Sequence, residues 1–95
     1  MFVSMIQFIL EIPEVGSIKE KRRVVKSIKD RIQNKYRVSV AEVDLQDSLR
    51  FTQIGAAQVT NSRRYGESVM HKILAFVEDH AEGRLVDAKI MTEFY

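Results

Sequence analysis

The run Phe2 to Ile12, FVSMIQFILEI, is apolar on both of its alternating faces, and it constrains the fold of this 95-residue chain more than any other stretch. In an extended strand Phe2, Ile6, Phe8, Leu10 and Ile12 fall on one side, and Val3, Met5 and Ile9 on the other. A strand with two dry faces reads as a central strand with something covering each side. Pro13 lacks the N–H that a ladder needs and Gly16 permits a tight turn, so the strand ends there.

Ser17 to Arg37 follows as one amphipathic helix. Ser17 and Glu20 form an S-x-x-E capping box at its start. At about 100° per residue Ile18, Val24, Val25, Ile28 and Ile32 share one sector, which faces the sheet. On the opposite face Lys19, Arg22, Arg23 and Lys26 make a basic strip over two turns. Lys21 projects into the apolar sector, where its stem can lie along the core edge while its ammonium reaches a carboxylate or solvent. The segment holds nine of the fifteen Lys and Arg residues and two of the thirteen acids, a balance of +7. The other residues hold six cations and eleven acids, a balance of −5, so the net charge of +2 hides a strong segregation.

Val38 to Asp44 is β-branched and alternating, a second strand, and Leu45 to Arg50 connects it to a third, Phe51 to Thr60. Gly55, with Ala56 and Ala57, marks a bulge in that third strand or a close approach by another backbone or a helix. Asn61 and Ser62 signal a helix start. Tyr65, Val69, Ile73, Phe76 and Val77 then repeat at helical spacing to about His80, Gly83 closes the turn, and Leu85 to Tyr95 is a fourth strand with Val86, Ala88, Ile90 and Phe94 on one side. The order β-α-β-β-α-β is the split βαβ pattern of an α+β, ferredoxin-like domain spanning residues 1–95. Right-handed crossovers place both helices on one face of a four-stranded antiparallel sheet, with the first and third strands central. The helix-free face then carries Val3, Met5 and Ile9, an apolar patch unusual for a monomer, so a homodimer through that face is expected, with a merely apolar solvent face as the plainer alternative.

The segments Ser17-Ile18-Lys19-Glu20-Lys21-Arg22-Arg23, Val38 to Asp47, and Ile54-Gly55 leading to Val59-Thr60-Asn61 resemble the YlxP-like family of small bacterial proteins, a domain of unknown function. The resemblance covers nearly the whole chain. It implies a ferredoxin-like fold, and because genes of this family often lie among translation and ribosome-maturation genes, it implies a ribosome-associated role. Relatives often hold His or Trp near the positions of Leu45 and Leu49, and neither is present here.

The basic strip Lys19, Arg22, Arg23 and Lys26, with Lys29 and Arg31 nearby, is the candidate contact for RNA phosphates, weighed against a solvated face or a dock for an acidic protein. Tyr36 offers a stacking surface or packs under the helix end. The third strand of an RNA-recognition motif reads K/R-G-F/Y-G/A-F-V-x-F/Y, and Phe51-Thr52-Gln53-Ile54-Gly55-Ala56-Ala57-Gln58 lacks the stacking aromatics of that pattern. Glu42, Asp44 and Asp47 could hold a divalent cation or supply a base, or simply cap a turn and pair with the basic helix, Lys21 being the named partner. His71 and His80, nine apart, are not an i, i+4 ligand pair. With no cysteine, no glycine-rich phosphate loop and no nucleophile motif, neither a cofactor nor a reaction is indicated. The alternative function is a dimeric regulatory module with a small ligand at the subunit interface, near Gly55 and its alanines. The N-terminus has no basic n-region and is too short to span a bilayer, so a cytoplasmic protein without membrane contact is expected.

Overall fold

Six elements follow one another in the computed structural model, which describes residues 1–80 and 82–95. They are β1 (Phe2–Glu11), α1 (Ile18–Tyr36), β2 (Ser39–Asp44), β3 (Phe51–Thr60), α2 (Arg63–His80) and β4 (Arg84–Phe94). The side chain of His80 and residue Ala81 lie outside the described part. All strand pairs are antiparallel in the order β2-β3-β1-β4, with β1 and β3 central. This is the ferredoxin-like arrangement that the element order implied.

The even-numbered side chains of β1 make the floor of the core. Ile6, Phe8 and Leu10 are buried with Ile54 and Ala56 of β3, under Val25, Ile28 and Ile32 of α1 and Val69, Met70, Ile73, Phe76 and Val77 of α2. Ile12, one residue beyond the strand, is still buried, and its N–H donates to the Arg50 carbonyl. No described helix is long and apolar enough to cross a membrane.

Two expectations about side-chain direction need correction. Val86 is exposed, and Leu85 packs against the core beside Ala88 and Ile90. Opposite Ile9 and Leu10 the register jumps from Asp87 to Leu85, and this bulge puts two adjacent β4 residues out of simple alternation. In α2 the core stripe excludes Tyr65, which is 59% exposed, and includes Met70, which is fully buried. The third strand shows no bulge against β1. Gly55 faces the helix-free side, and a methyl there would stand 3.1 Å from a Val43 methyl, so its small size lets β2 lean over it.

Gly66 marks the tightest approach of α2 to the sheet. Ser62 begins the helix, its hydroxyl accepting from the Tyr65 N–H at 3.2 Å. One turn on, a Cβ at Gly66 would collide with the hydroxyl and Cβ of Ser4. Ser4 is fully buried and hydrogen-bonded to the Thr92 hydroxyl at 2.8 Å, so it is not free to swing aside. Gly66→Ala is therefore expected to destabilise by about 1–3 kcal/mol through overpacking, although Ala is favoured over Gly in a helix by about 1 kcal/mol. Chemical denaturation reads the sign, and a stabilised variant would refute the close approach.

Candidate nucleic-acid interface

The position of α1 is set at its first turn. The Ser17 hydroxyl accepts from the Glu20 N–H at 3.2 Å, and the Glu20 carboxylate accepts from the Gly16 N–H at 2.8 Å, one residue earlier than in the usual capping box. At the other end Arg37 adopts the left-handed conformation and its N–H caps the Gln33 carbonyl.

Within the run Lys19-Glu20-Lys21-Arg22-Arg23 a single cation turns inward. Lys21 is 1% exposed. Its ammonium donates to the carbonyls of Leu45 at 2.5 Å and Gln46 at 3.3 Å, and lies 3.3 Å from the Glu42 carboxylate. Those three partners match its three N–H groups. The same Glu42 oxygen accepts from the buried Thr52 hydroxyl at 2.6 Å. Leu45, whose carbonyl accepts the shorter of the two carbonyl bonds from Lys21, is held at a positive φ of 63°. The pair anticipated between Lys21 and the acidic segment thus forms, through Glu42.

The three carboxylates of that segment do not converge. Glu42 pairs opposite Ile54 and Asp44 opposite Gln53, so a register shift turns Asp44 from the face that Glu42 occupies. The Asp44 side chain accepts from the Leu45 N–H at 2.7 Å, and Asp47 is exposed. Among the described residues no group of three or more His, Asp or Glu could hold a metal ion.

Lys19, Arg22, Arg23 and Lys26 all face solvent. Lys26 is paired with Asp30 at 2.6 Å one turn on, both exposed, so one acid sits on the strip. Arg31 and Lys35 leave the strip and stand 5.1 Å and 4.9 Å over the Phe76 ring, in the seam between the helices. Tyr36 belongs to the same seam. It packs edge-on to Phe76 with centroids 6.0 Å apart, and its hydroxyl donates to the Lys72 carbonyl at 3.3 Å. His71 is exposed on the outer face of α2.

Outside α1, other arginines are already engaged. Arg50 and Arg84 both bind Glu11, at 2.6 Å and 3.1 Å, joining the end of β1 to the starts of β3 and β4. The hydrogen bond from Arg50, then that from Arg84, holds the Glu11 carboxyl below the usual range. Arg63 pairs with Glu67 and stacks 5.2 Å over Phe2. Nothing in local sequence could reveal the Glu11 cluster, whose members are 39 and 73 residues apart.

Lys21→Met is expected to cost about 3 kcal/mol, because it strands the Glu42 carboxylate and two carbonyls without their donor. Adding Glu42→Gln removes the stranded charge and should restore part of that loss. Urea unfolding of both variants measures it, and a double variant no more stable than the single one would mean that the pairing is not what stabilises the site.

The helix-free face carries Val3, Met5, Gln7 and Ile9 of β1 beside Val59, Ala57, Gly55 and Gln53 of β3 and Glu93, Met91, Lys89 and Asp87 of β4. Val3, Met5 and Ile9 are partly exposed there, as expected. The next pair, Glu11 and Phe51, puts one ring at the end of this face under the Arg50 guanidinium, and the central positions hold none of the stacking aromatics of an RNA-recognition motif.

Comparisons with known proteins agree with this architecture. The protein YJCS, solved by structural genomics, is similar over 98% of both chains with a TM-score of 0.50 and 12% identity. A crystal structure from Agrobacterium tumefaciens is similar over 99% of this chain and 92% of its own, with a TM-score of 0.51 and 13% identity. At such identities the likeness is one of fold. In sequence the chain is 42% identical over 69 residues to the uncharacterised protein YlxP of Bacillus subtilis (strain 168), covering 73% of this chain and 75% of that protein. Residues 3–90 match the model of the family described as "Protein of unknown function (DUF503)". The chain belongs to this DUF503 family, of which YlxP-like proteins are the members it resembles.

Proposed function

We propose that this protein is a non-enzymatic docking protein for ribosomal RNA that uses the exposed face of α1. The observation that carries the reading is the state of the strip: Lys19, Arg22 and Arg23 project from one rigid helix without an acidic partner among the described residues. Cations held on a helix and left unneutralised are suited to phosphates, whose counterions they displace. Solubility alone does not require such segregation when the rest of the chain is acidic.

Four phosphate contacts would give a log–log salt slope of about −3 for a single strand or about −3.6 for a duplex. Co-sedimentation with purified ribosomal subunits from about 50 to 200 mM salt tests this. Wild-type binding should fall steeply over that range, and a folded variant with Lys19, Arg22, Arg23 and Lys26 all changed to Glu should not bind. Absence of wild-type binding at the lowest salt would overturn the reading.

We further propose that the protein acts as a homodimer through the helix-free face. Strands of ten, six, ten and eleven residues, with a rise of about 3.4 Å and a spacing of about 4.8 Å, present roughly 600 Å² per copy, near the ~800 Å² per partner of a standard interface. The row Asp87, Lys89 and Glu93 on β4 carries both signs, so a two-fold-related copy can set each Lys89 against an acid. Met5→Glu is expected to give a folded monomer in analytical ultracentrifugation; a wild type that is monomeric at micromolar concentration would refute the pairing. The second reading, a small ligand at the subunit interface, is favoured by one feature. A trough of about 290 Å³ lies between Met5 and Val43, where Ser39, Ala41, Gly55 and Ala57 are all small.

A further inference from the structure

The cations of α1 are not equivalent. Between α1 and the β2–β3 connection lies a cleft of about 340 Å³, lined by Lys21, Arg22, Val25, Lys26, Lys29 and Asp30 on the helix and by Glu42 and Gln46 opposite. Arg22, Lys26 and Lys29 stand at i, i+4 and i+7, one ridge of the helix, and all three line it. Lys19 and Arg23 do not; they lie on the outer flank of the strip. Deepening the RNA-docking reading, on which it rests, we propose that this cleft is the phosphodiester-binding site for single-stranded RNA, with Arg22, Lys26 and Lys29 as its phosphate ligands and Lys19 and Arg23 as peripheral charge.

Three features favour an oxyanion there. The cleft is concave, so a bound phosphate meets the helix ridge on one side and Gln46 on the other, where a flat helix face would meet it on one side only. Its volume is at the low end of the roughly 300–1,000 Å³ of ligand sites, suited to one sugar–phosphate unit rather than to the surface of a duplex. Its floor is settled before any ligand arrives: Lys21 is saturated by Leu45, Gln46 and Glu42, and Glu42 is neutralised by Lys21 and hydrogen-bonded by Thr52. With Asp30 the cleft holds four cations against two acids, so its excess is positive. The Lys26–Asp30 pair is exposed on both sides, and such pairs are weak enough to open for a phosphate.

The test compares two charge-matched variants. Arg22→Gln with Lys29→Gln removes one Arg and one Lys from the cleft, and Arg23→Gln with Lys19→Gln removes one of each from the flank. Binding of a fluorescein-labelled 12-nucleotide single-stranded RNA is read by anisotropy at about 50 mM salt, with thermal melts checking that both variants are folded. The cleft variant should bind at least tenfold more weakly than wild type, and the charge-matched flank variant should bind at least threefold more tightly than the cleft variant. Inorganic phosphate should weaken wild-type binding more than chloride does at matched ionic strength. That arm needs no variant. Equal losses from both variants with no phosphate effect would overturn the cleft while leaving diffuse docking by the helix intact. Displacement of the RNA by polyglutamate as effectively as by unlabelled RNA would assign the cleft to an acidic protein and overturn it too. Failure of the wild type to bind any RNA would remove both the cleft and the docking reading.

Discussion

The buried ammonium of Lys21 is the interaction on which the functional face depends. An unpaired ammonium in an apolar seam would be too costly to keep charged, so its three donors must all be met. Two of the acceptors are backbone carbonyls of the β2–β3 connection and the third is a carboxylate on β2. One side chain therefore fastens the first turns of α1 to an otherwise irregular loop. The apolar sector already selects which way the helix faces. Lys21 adds the fixed distance between helix and loop, and with it a cleft of definite width. Arg22, one residue later, is carried to the rim as a direct result.

The two sides of the sheet are built for different work. On the helix side the core is filled by large side chains except where α2 comes close, and there Ser4, Thr92 and Gly66 replace bulk with hydroxyls and hydrogen. On the open side Ala41, Gly55 and Ala57 keep the centre low while Met5, Val59 and Met91 stand above it. The one ring in its β1–β3 register, Phe51 opposite Glu11, sits at the end of the face with the Arg50 guanidinium 5.1 Å over it, so the centre offers no ring on which bases could stack. It suits contact with another apolar surface, in keeping with the proposal that the basic helix, and not the sheet, is the RNA-docking face.

Much of this was legible in the residues, and the failures have local causes. Alternation located the strands and the capping box located α1, because both signals arise from neighbours in sequence. The inward turn of Lys21 followed from helical phase alone. Its acidic partner was narrowed to a segment, but the choice of Glu42 over Asp44 rests on a register shift in β2 that no pattern of residue types announces. The bulge in β4 was missed for the same reason. Leu85 and Val86 are adjacent and both apolar, so alternation is satisfied by either, and only pairing with β1 decides. Tyr65 matched the α2 period as well as Met70 did; the close approach at Gly66, set by tertiary packing, put the ring outside. Lys29 was placed only near the strip, since a cleft lining needs the loop on the far side to be in place.

The acids of the cleft offset a repulsion that is present whether or not anything is bound. Lys21, Arg22, Lys26 and Lys29 lie within two and a half turns of one helix, and like charges that close repel one another, most strongly where a cleft wall excludes water. Without compensation that repulsion would oppose docking of α1 on the sheet. Glu42 offsets the buried member of the set, where screening by salt is weakest, and it is itself locked by Thr52. Asp30 offsets an exposed member through a contact that salt and solvent already weaken. The placement is asymmetric in a useful way. The permanent neutralisation sits at the floor, and the exchangeable one sits at the rim, where in the proposed site an incoming phosphate would take Lys26 from Asp30 at little cost. A cleft built from cations alone would attract any polyanion more strongly but would hold its own helix less firmly.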